Sequence, residues 1–454
     1  MAGKFEAPRS RRGPVPILIL LVIFAALLAA ALLLRPKNTP KPLSPETTEA
    51  AETAAPVQTE PSLPPQTLAP SETARPRQEA IASATLCAQG DLLMHEPVIR
   101  SGKQADGTYD FSTIFQYIAP YVQGYDYAAV NLETTLGGSA YPYQGNPEFN
   151  CPDAIADAMV DAGYDMALTA NNHASDTYAS GIFRTLEQLR DRGLTTLGTM
   201  LNQEEKKYEV VEINGIQIGM LCYTYATNEL SEGQPSLNYR DFIRQTGVVN
   251  YFLESKLERF FTEVEGHIAD MRADGAEAIV LYIHWGQEYN TTENALQQGM
   301  AQRLCDLGAD VIIGGHPHVV QPMELIESTV DPDHRAVCIY SVGNAVSNQM
   351  KDADKVFASG HSEDGALFSV TFEKYADGTV RVADTDVLPT WVNRNTNTGE
   401  WQYNIIPLDT AKEDQWQELY GLTEEQFTAA KESYARTMEI LGESLAQCKE
   451  GLQQ

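Results

Sequence analysis

The chain has 454 residues, 43% of them hydrophobic, and a formal net charge of −30 at pH 7. A chain of this length can bury one large core or two smaller ones, and we expect one principal domain with appendages. The acidity disfavours nucleic-acid binding and is most simply explained by solubility. A general surface of this kind is also poor for binding a polyanion, unless a metal or a local basic pocket provides the attraction.

The first predicted element is an apolar segment near the N-terminus. Residues 17–34 contain no charged or polar side chain and follow several basic residues, which is the pattern of a membrane-spanning helix. We assign residues 1–14 to a cytoplasmic tail and 15–35 to a transmembrane signal anchor, which places the main domain outside the cell. A cleaved signal peptide is the alternative, but cleavable apolar regions are usually only about 7–15 residues long.

A linker follows the predicted anchor. Residues 36–82 are dominated by Pro, Thr, Ala, Glu and Ser without helical or strand periodicity. Such a segment cannot bury enough apolar surface to offset its conformational entropy, so we predict a disordered, extended linker. Residues 1–82 carry nine basic and seven acidic side chains, a net of +2, which leaves −32 of the total −30 for the rest of the chain.

Strand and helix patterns alternate from Thr85 onward and predict an α/β domain over residues 83–410. Short aliphatic runs have the character of buried parallel strands at 85–89, 127–130, 166–170, 278–283 and 310–313. Helices that end at a glycine are expected between them at 152–163, 181–192 and 294–307.

Two β-hairpins are predicted in the same domain. Asn214-Gly215 and Asp377-Gly378 are each flanked by strand-like segments, and we expect a type I′ turn at both. Residues 224–250 are polar and irregular, and we expect them to pass over the face that carries the site.

The C-terminal residues 411–454 are predicted to form a helical extension. Residues 423–426 have the capping-box pattern, and apolar residues follow at helical spacing. We expect this stripe to pack on the domain; docking to a partner helix is the alternative. The six cysteines are scattered singly, and we expect no disulfide framework.

Five short polar segments stand where apolar runs stop: Gly90-Asp91, Asn131-Leu132-Glu133, Asn171-Asn172-His173, His284-Trp285-Gly286 and Gly315-His316-Pro317-His318. In open α/β sheets, sites form beyond the carboxyl ends of the strands. Carboxylate, carboxamide and imidazole groups bind Mn²⁺, Fe and Zn²⁺. The sequence therefore predicts a site for one or two divalent transition-metal ions.

The segments GDLLMHEPVI, NLETTL, ANNHASD, HWGQEY and GGHPHVVQPME, in this order, resemble the CapA proteins of bacterial poly-γ-glutamate capsule synthesis. That family shares the calcineurin-like metallophosphoesterase fold. The resemblance covers about residues 84–390 and implies a four-layer αββα sandwich. It also implies six metal ligands, which are Asp91, Glu133, Asn172, His284, His316 and His318.

The resemblance gives His173 the role of donating a proton to the leaving group or a hydrogen bond to the substrate oxyanion. Histidine suits this task because its unperturbed pKa is about 6.5. Asn171 and Asp176 could orient it. The wider superfamily has a histidine two residues after the first aspartate, where this chain has Leu93. His95, two positions further on, could reach the site or contact the substrate.

Three further positions remain open in the sequence. Glu133 stands where the superfamily has a bridging aspartate, and its extra methylene means either that two metals are shifted or that one is held firmly. Glu288 could accept a hydrogen bond from an imidazole or contact the substrate. Asn344 follows a strand and is interpreted as a substrate-binding residue on the rim, with a simple turn as the alternative.

Three functions fit these predictions. The first is metal-dependent hydrolysis or transfer, in which the metal lowers the pKa of water and polarises a substrate oxygen, with a phosphoester or a γ-glutamyl amide as substrate. The second is a non-catalytic accessory subunit of a polyglutamate synthase or exporter that holds polymer carboxylates. No phosphate-binding loop occurs, so synthase membrane subunits would perform the ligation. The third is a cell-surface metallophosphatase without a capsule role.

Overall fold

The computed structural model of the chain describes residues 79–230, 234–238, 240, 243–396 and 401–454. The predicted cytoplasmic tail, membrane anchor and nearly all of the linker lie outside these residues. Among the helices in the described ranges, none is long and apolar enough to cross a bilayer. All described residues belong to one compact unit.

The described strands, in chain order, are β1 (Ala80–Leu92), β2 (Tyr127–Asn131), β3 (Met166–Leu168), β4 (Thr195–Leu197), β5 (Tyr208–Ile213), β6 (Ile216–Tyr225), β7 (Asn228–Leu230), β8 (Gln234–Ser236), β9 (Tyr251–Phe252), β10 (Ala278–His284), β11 (Val311–Gly315), β12 (Val320–Glu327), β13 (Arg335–Val342), β14 (Asn344–Val346), β15 (Asp364–Tyr375), β16 (Val380–Asn395) and β17 (Gln402–Pro407).

The described α-helices are α1 (Glu96–Ser101), α2 (Ser112–Phe115), α3 (Ala119–Val122), α4 (Ala154–Ala162), α5 (Tyr178–Arg190), α6 (Ile243–Thr246), α7 (Leu257–Ala273), α8 (Ala295–Asp306), α9 (Trp416–Tyr420) and α10 (Glu424–Leu452). Short 3₁₀ segments occur at Glu254–Lys256, Lys355–Phe357, His361–Glu363 and Thr410–Gln415.

Two large sheets organise the domain. The first has the strand order β17-β16-β15-β1-β2-β3-β4, with β14 also paired to β1, and the second has the order β12-β13-β11-β10-β6-β5, with β9 paired to β6. Strands β1 to β4 run parallel, as do β6, β10, β11 and β13. The short aliphatic runs form these parallel strands because helices cover them, so both faces can be buried.

The two sheets face each other across one apolar core. Leu86 and Ala129 from the first sheet share this core with Met220 and Val280 from the second. The opposite face of the first sheet packs against α2 and α4, and the opposite face of the second packs against α7 and α8. The predicted α/β domain is therefore confirmed, and its layers run helix, sheet, sheet, helix.

The helix signals are close to the observed boundaries. Asn294 caps α8 and Thr423 caps α10, both in a full capping box, while Gly163 ends α4 with a φ of +96°. Helix α5 begins at Tyr178, three residues before the predicted start. Strand β1 begins at Ala80, inside the segment predicted as linker, because its antiparallel pairing with β15 continues to that residue.

The two hairpins differ in their turns. Asn214 and Gly215 both have a positive φ, at +50° and +83°, as the predicted type I′ turn requires. The second prediction is wrong in its turn type, since only Gly378 has a positive φ there. Tyr375 N–H donates to Thr379 O, so the loop has three residues and ends in a left-handed glycine.

Helix α10 packs on the domain, as expected from its apolar stripe. Leu441, Leu445 and Cys448 are buried in the core between the sheets. Arg436 and Ser433 bind the buried carboxylate of Asp364 at the start of β15. All six cysteines are buried and free.

Candidate metal centre

The strand registers bring the predicted motifs to one edge of the sandwich. Asp91 on β1 lies opposite Asn131 on β2, and His284 on β10 lies opposite Gly315 on β11. A Cβ atom at Gly315 would lie 3.2 Å from Asp91 Oδ1, so a glycine there lets the two sheets approach at this edge.

Asp91 is completely buried among polar partners. Asn131 Nδ2 donates to Asp91 Oδ1 at 2.7 Å, and His318 Nδ1 lies 3.1 Å from Asp91 Oδ2. Burial opposes ionisation, but the hydrogen bond and charge of His318 outweigh it and lower the pKa of Asp91. The carboxylate is therefore ionised at neutral pH.

Glu133 is shared by two groups of metal-ligating atoms. One group is Asp91, Glu133 and His284, and the other is Glu133, His316 and His318; within each, the ligand atoms lie within 4.8 Å of one another. All five side chains are buried. The sixth predicted ligand, Asn172, has its Oδ1 2.8 Å from His284 Nε2.

Two buried atoms of this cluster lack a hydrogen-bond partner, Glu133 Oε1 and His316 Nδ1. Glu133 Oε1 lies 3.5 Å from His284 Nε2 and 3.9 Å from His318 Nε2, so it has ionic contacts but no hydrogen bond, and a buried carboxylate oxygen of this kind is best satisfied by a bound cation or a donor. Two carboxylates, three imidazoles and an amide oxygen form a donor set that Mn, Fe or Zn accepts. These buried groups could therefore hold a divalent metal ion.

The two histidines of the HPH segment differ in charge. Burial, reinforced by the charges of His284 and His318, lowers the pKa of His316 well below its usual value, so the ring is neutral. Burial also acts against charge on His318, but Glu133 and Asp91 overcome it and raise its pKa to about 9. A protonated His318 thus offsets one of the two carboxylate charges in the metal-free site.

The backbone around these histidines is strained. His316 has a φ of +96° and His318 a φ of +57°, a region that favours glycine. Such residues typically cost about 1–3 kcal/mol each and cluster at functional sites. The left-handed backbone brings the two ring centroids to 5.8 Å, and Tyr225 OH lies 3.0 Å from His316 Nε2.

The structure corrects the interpretation of Asn344. This residue is completely buried, so the rim prediction is wrong. Its Oδ1 lies 3.2 Å from His318 Nδ1, while its Nδ2 donates to Gln349 Oε1 at 2.9 Å and to the carbonyl oxygen of Ser362 at 2.9 Å. Strand β14 pairs with β1 and holds Asn344 behind the site, where it orients His318.

His173 lies beside the cluster, bound to Asp176. Its Nδ1 is 2.7 Å from Asp176 Oδ2, and Asn171 Oδ1 accepts a hydrogen bond from its backbone N–H. Burial lowers the pKa of His173, but the hydrogen bond and charge of Asp176 prevail and raise it above its usual value. Asp176 thus orients the imidazole and favours its protonated form relative to a free histidine.

An aromatic row connects His173 to His95. The ring of Phe149 lies 4.5 Å from that of His173 and 5.2 Å from that of His95. His95 Nδ1 accepts a hydrogen bond from the backbone N–H of Asn348, and burial lowers its pKa to about 4. His95 is thus a neutral imidazole near the site, outside both groups of metal-ligating atoms.

Glu288 lies on the outer side of the site and is exposed. Burial raises the pKa of the neighbouring Tyr289, and the charge of Glu288 raises it further. The same charge helps to raise the pKa of His318. No hydrogen bond from an imidazole to Glu288 occurs among the described residues. Contact with a substrate therefore stays a prediction for this residue.

The sequence did not single out Tyr225, Asn238 or Tyr289. Asn238, in the excursion after β8, places its Nδ2 3.2 Å from His173 Nδ1 and 3.4 Å from Asp176 Oδ1. Tyr289 OH accepts a hydrogen bond from Gln349 Nε2 at 3.2 Å. Tyr225 is the last residue of a strand that ends at the same edge as the motifs, and this position was the one signal in the sequence that could have identified it as a site residue.

An ion pair lies next to His173. Arg240 pairs with Glu148, and its guanidinium carbon lies 4.2 Å from the centroid of the Tyr178 ring. Glu148 directly precedes Phe149, whose backbone N–H donates to Asp176 Oδ2 at 2.6 Å. The pair therefore joins the loop before α4 to the excursion that carries Asn238.

Residues 85–349 match the model of a family described as bacterial capsule synthesis protein PGA_cap. A PGA biosynthesis protein CapA from Bacillus subtilis (strain 168) is 27% identical over 308 residues, which are 66% of this chain and 70% of that protein. A capsule biosynthesis protein CapA from Bacillus anthracis is 27% identical over 277 residues, or 58% of this chain and 60% of that protein. The family match includes every candidate ligand of the metal centre.

Proposed function

Because this chain belongs to the family of bacterial capsule synthesis proteins, we propose that it acts in producing a poly-γ-glutamate capsule or a related surface polymer through a metal-dependent hydrolase site. The observation that carries the hydrolase proposal is Glu133 Oε1, which accepts no hydrogen bond within a buried set of carboxylate and imidazole groups. His173 lies beside this set of groups, and a site that only bound metal would not require it.

Asp91, Glu133, Asn172, His284, His316 and His318 would hold the ion. A divalent metal ion, when bound, lowers the pKa of a water molecule and polarises a substrate oxygen. His173 supplies a proton, because Asp176 fixes its Nδ1 and raises its pKa, which leaves Nε2 to face a substrate or leaving group. The neutral His95 and Phe149 restrict the space around that ring.

We also propose that residues 15–35 anchor the protein in the cell membrane with the main domain outside, and that membrane subunits of a polyglutamate synthase are its partners. The support is the uninterrupted apolar segment 17–34 and the composition of the linker. Membrane fractionation with a carbonate wash and protease treatment of intact cells test this. Release by the wash, or protection of the domain in intact cells, would refute it.

Elemental analysis of the purified protein tests the metal centre. We expect about one or two transition-metal ions per chain, and none in a folded variant with His284, His316 and His318 changed to alanine. His334→Ala is the matched control, since His334 lies outside the site, with its Nε2 3.0 Å from the Ala309 carbonyl and its Nδ1 3.9 Å from Asp310 Oδ1. If the native protein stays metal-free after Mn²⁺ or Zn²⁺ loading, the hydrolase proposal fails and an accessory role remains.

His173→Gln separates catalysis from binding. We expect this variant to keep its metal and to lose hydrolysis of phosphoester or γ-glutamyl model substrates, because the proton donor is gone. An unchanged capsule phenotype with metal retained would favour a binding role in polymer assembly.

A further inference from the structure

A cavity with a cationic rim lies beside the metal centre. It has a volume of about 300 Å³ and is bounded by α6, β9 and the start of α7. Its lining includes the buried apolar side chains of Val249, Phe252 and Phe260. Its rim carries three basic side chains, which are Lys207, Lys256 and Arg259.

Two of these three cations have no ion-pair or hydrogen-bond partner among the described residues. Lys207 Nζ lies 2.6 Å from Glu263 Oε1, and Glu263 is the one carboxylate among the described lining residues. The side chains of Lys256 and Arg259 are exposed and make no ion pair or hydrogen bond with any described residue. The described lining residues therefore carry a net charge of +2 on a chain whose total is −30.

The cavity adjoins the metal centre through one strand pairing. Tyr251 and Phe252 of β9, which line the cavity, pair with Thr224 and Tyr225 of β6. Tyr225 OH lies 3.0 Å from His316 Nε2. Because paired strands lie about 4.8 Å apart, the part of the cavity formed by β9 lies one strand away from Tyr225, which contacts the candidate ligand His316.

We propose that this cavity is a binding subsite for the carboxylates of a linear polyanion of the γ-glutamyl type, whose reacting bond lies at the metal centre. The proposal rests on the proposed function and adds where the substrate chain runs. Exposed cations offset the repulsion that the acidic domain exerts on a polyanion. The apolar portions of the lining suit the methylene groups between successive carboxylates of a γ-linked chain.

Calorimetric titration of the full-length protein in detergent with γ-linked glutamate oligomers of about ten residues tests the proposal. We expect the Lys256→Gln/Arg259→Gln variant to bind about 3- to 30-fold more weakly than the wild type at low salt, as two exposed charge contacts imply. Its affinity should also depend less on salt concentration.

The matched control is Lys103→Gln/Lys355→Gln. Both lysines are exposed, make no side-chain ion pair with described residues, and lie outside the cavity. The control variant loses two positive charges and therefore has the same net charge as the cavity variant. We expect near-wild-type affinity from it. Equal weakening of both double variants, no weakening of either, or no binding of the oligomer by the wild type would each overturn the proposal.

Metal content separates this proposal from the proposed function. We expect the Lys256→Gln/Arg259→Gln variant to retain wild-type metal content, since neither residue contacts a candidate ligand. If that variant holds metal but binds oligomer like the control, the subsite fails and the hydrolase proposal stands. If no preparation binds metal but the cavity variant alone weakens oligomer binding, the subsite stands and the hydrolase proposal fails.

Discussion

Replacing Arg436 by leucine tests how the C-terminal helix is fixed to the sandwich. Asp364 is 1% exposed and accepts hydrogen bonds from Arg436 Nε at 2.8 Å, Arg436 Nη2 at 2.7 Å and Ser433 Oγ at 2.6 Å. Arg436→Leu keeps apolar packing but leaves the buried carboxylate with the Ser433 hydroxyl as its one side-chain hydrogen-bond donor among the described residues and with His361 Nδ1 3.8 Å away.

The expected cost follows from breaking a buried ion pair. Removal of one partner typically destabilises a protein by about 3–5 kcal/mol, because the remaining charge is uncompensated. The Arg436 side chain is 18% exposed, so water retains some access, and we expect about 3 kcal/mol. Asp364→Asn/Arg436→Leu removes the charge as well and should recover at least half of this loss.

The loss should shrink as the pH falls. Burial raises the pKa of Asp364 above its usual value even though Arg436 and Ser433 oppose this, and without Arg436 the pKa rises further. A carboxyl whose folded pKa is raised contributes stability that is present at low pH and is lost as pH rises through that pKa. The variant should therefore approach the wild type on acidification.

Urea unfolding followed by tryptophan fluorescence measures this, because Trp391 and Trp416 are buried in the cluster beside α10. We would compare pH 8 with about pH 5.5, which stays above the isoelectric point of about 4.6. The reasoning would be refuted if Arg436→Leu lowered the free energy of unfolding by less than about 1 kcal/mol at pH 8, or by the same amount at both pH values.

Three further predictions concern the metal centre and its frame. Asp176→Asn should lower the pKa of His173 in the metal-free protein, measured by NMR titration; an unchanged pKa would contradict the assigned cause. Asn344→Leu should weaken metal binding about 10- to 100-fold in chelator competition, since His318 loses its orienting amide, whereas wild-type affinity would exclude that role. Gly314→Ala would place a Cβ 1.9 Å from a neighbouring carbonyl oxygen, so we expect a clear fall in Tm, and an unchanged Tm would show that the strand can shift.

The elements predicted well from sequence are those with local causes. The aliphatic runs predicted β2 and β10, and the caps at Asn294 and Thr423 predicted the starts of α8 and α10. The Asn214-Gly215 pair predicted the first hairpin and its turn type. The match to the PGA_cap family confirms the resemblance inferred from the five motifs. Their clustering followed from one topological rule, that parallel strands present their carboxyl ends at one edge.

The elements missed depend on distant pairing. Asn344 was misplaced because a turn sequence does not reveal that β14 pairs with β1 and is buried there. Asn238 reaches His173 from a segment without periodicity, so no pattern could associate the two. Ala80 joins a strand because β15, almost 300 residues later, provides its partner.

The candidate ligands come from both sheets. Asp91 lies on β1 of the first sheet, and Glu133 and Asn172 follow its strands β2 and β3. His284 lies on β10 of the second sheet, and the HPH histidines follow its strand β11. An ion bound there would clamp the two halves of the sandwich together and raise the free energy of unfolding by about 4.1 kcal/mol when free metal exceeds Kd about 1,000-fold. Under the proposed function, metal starvation would then reduce the amount of folded protein on the cell surface as well as its chemistry.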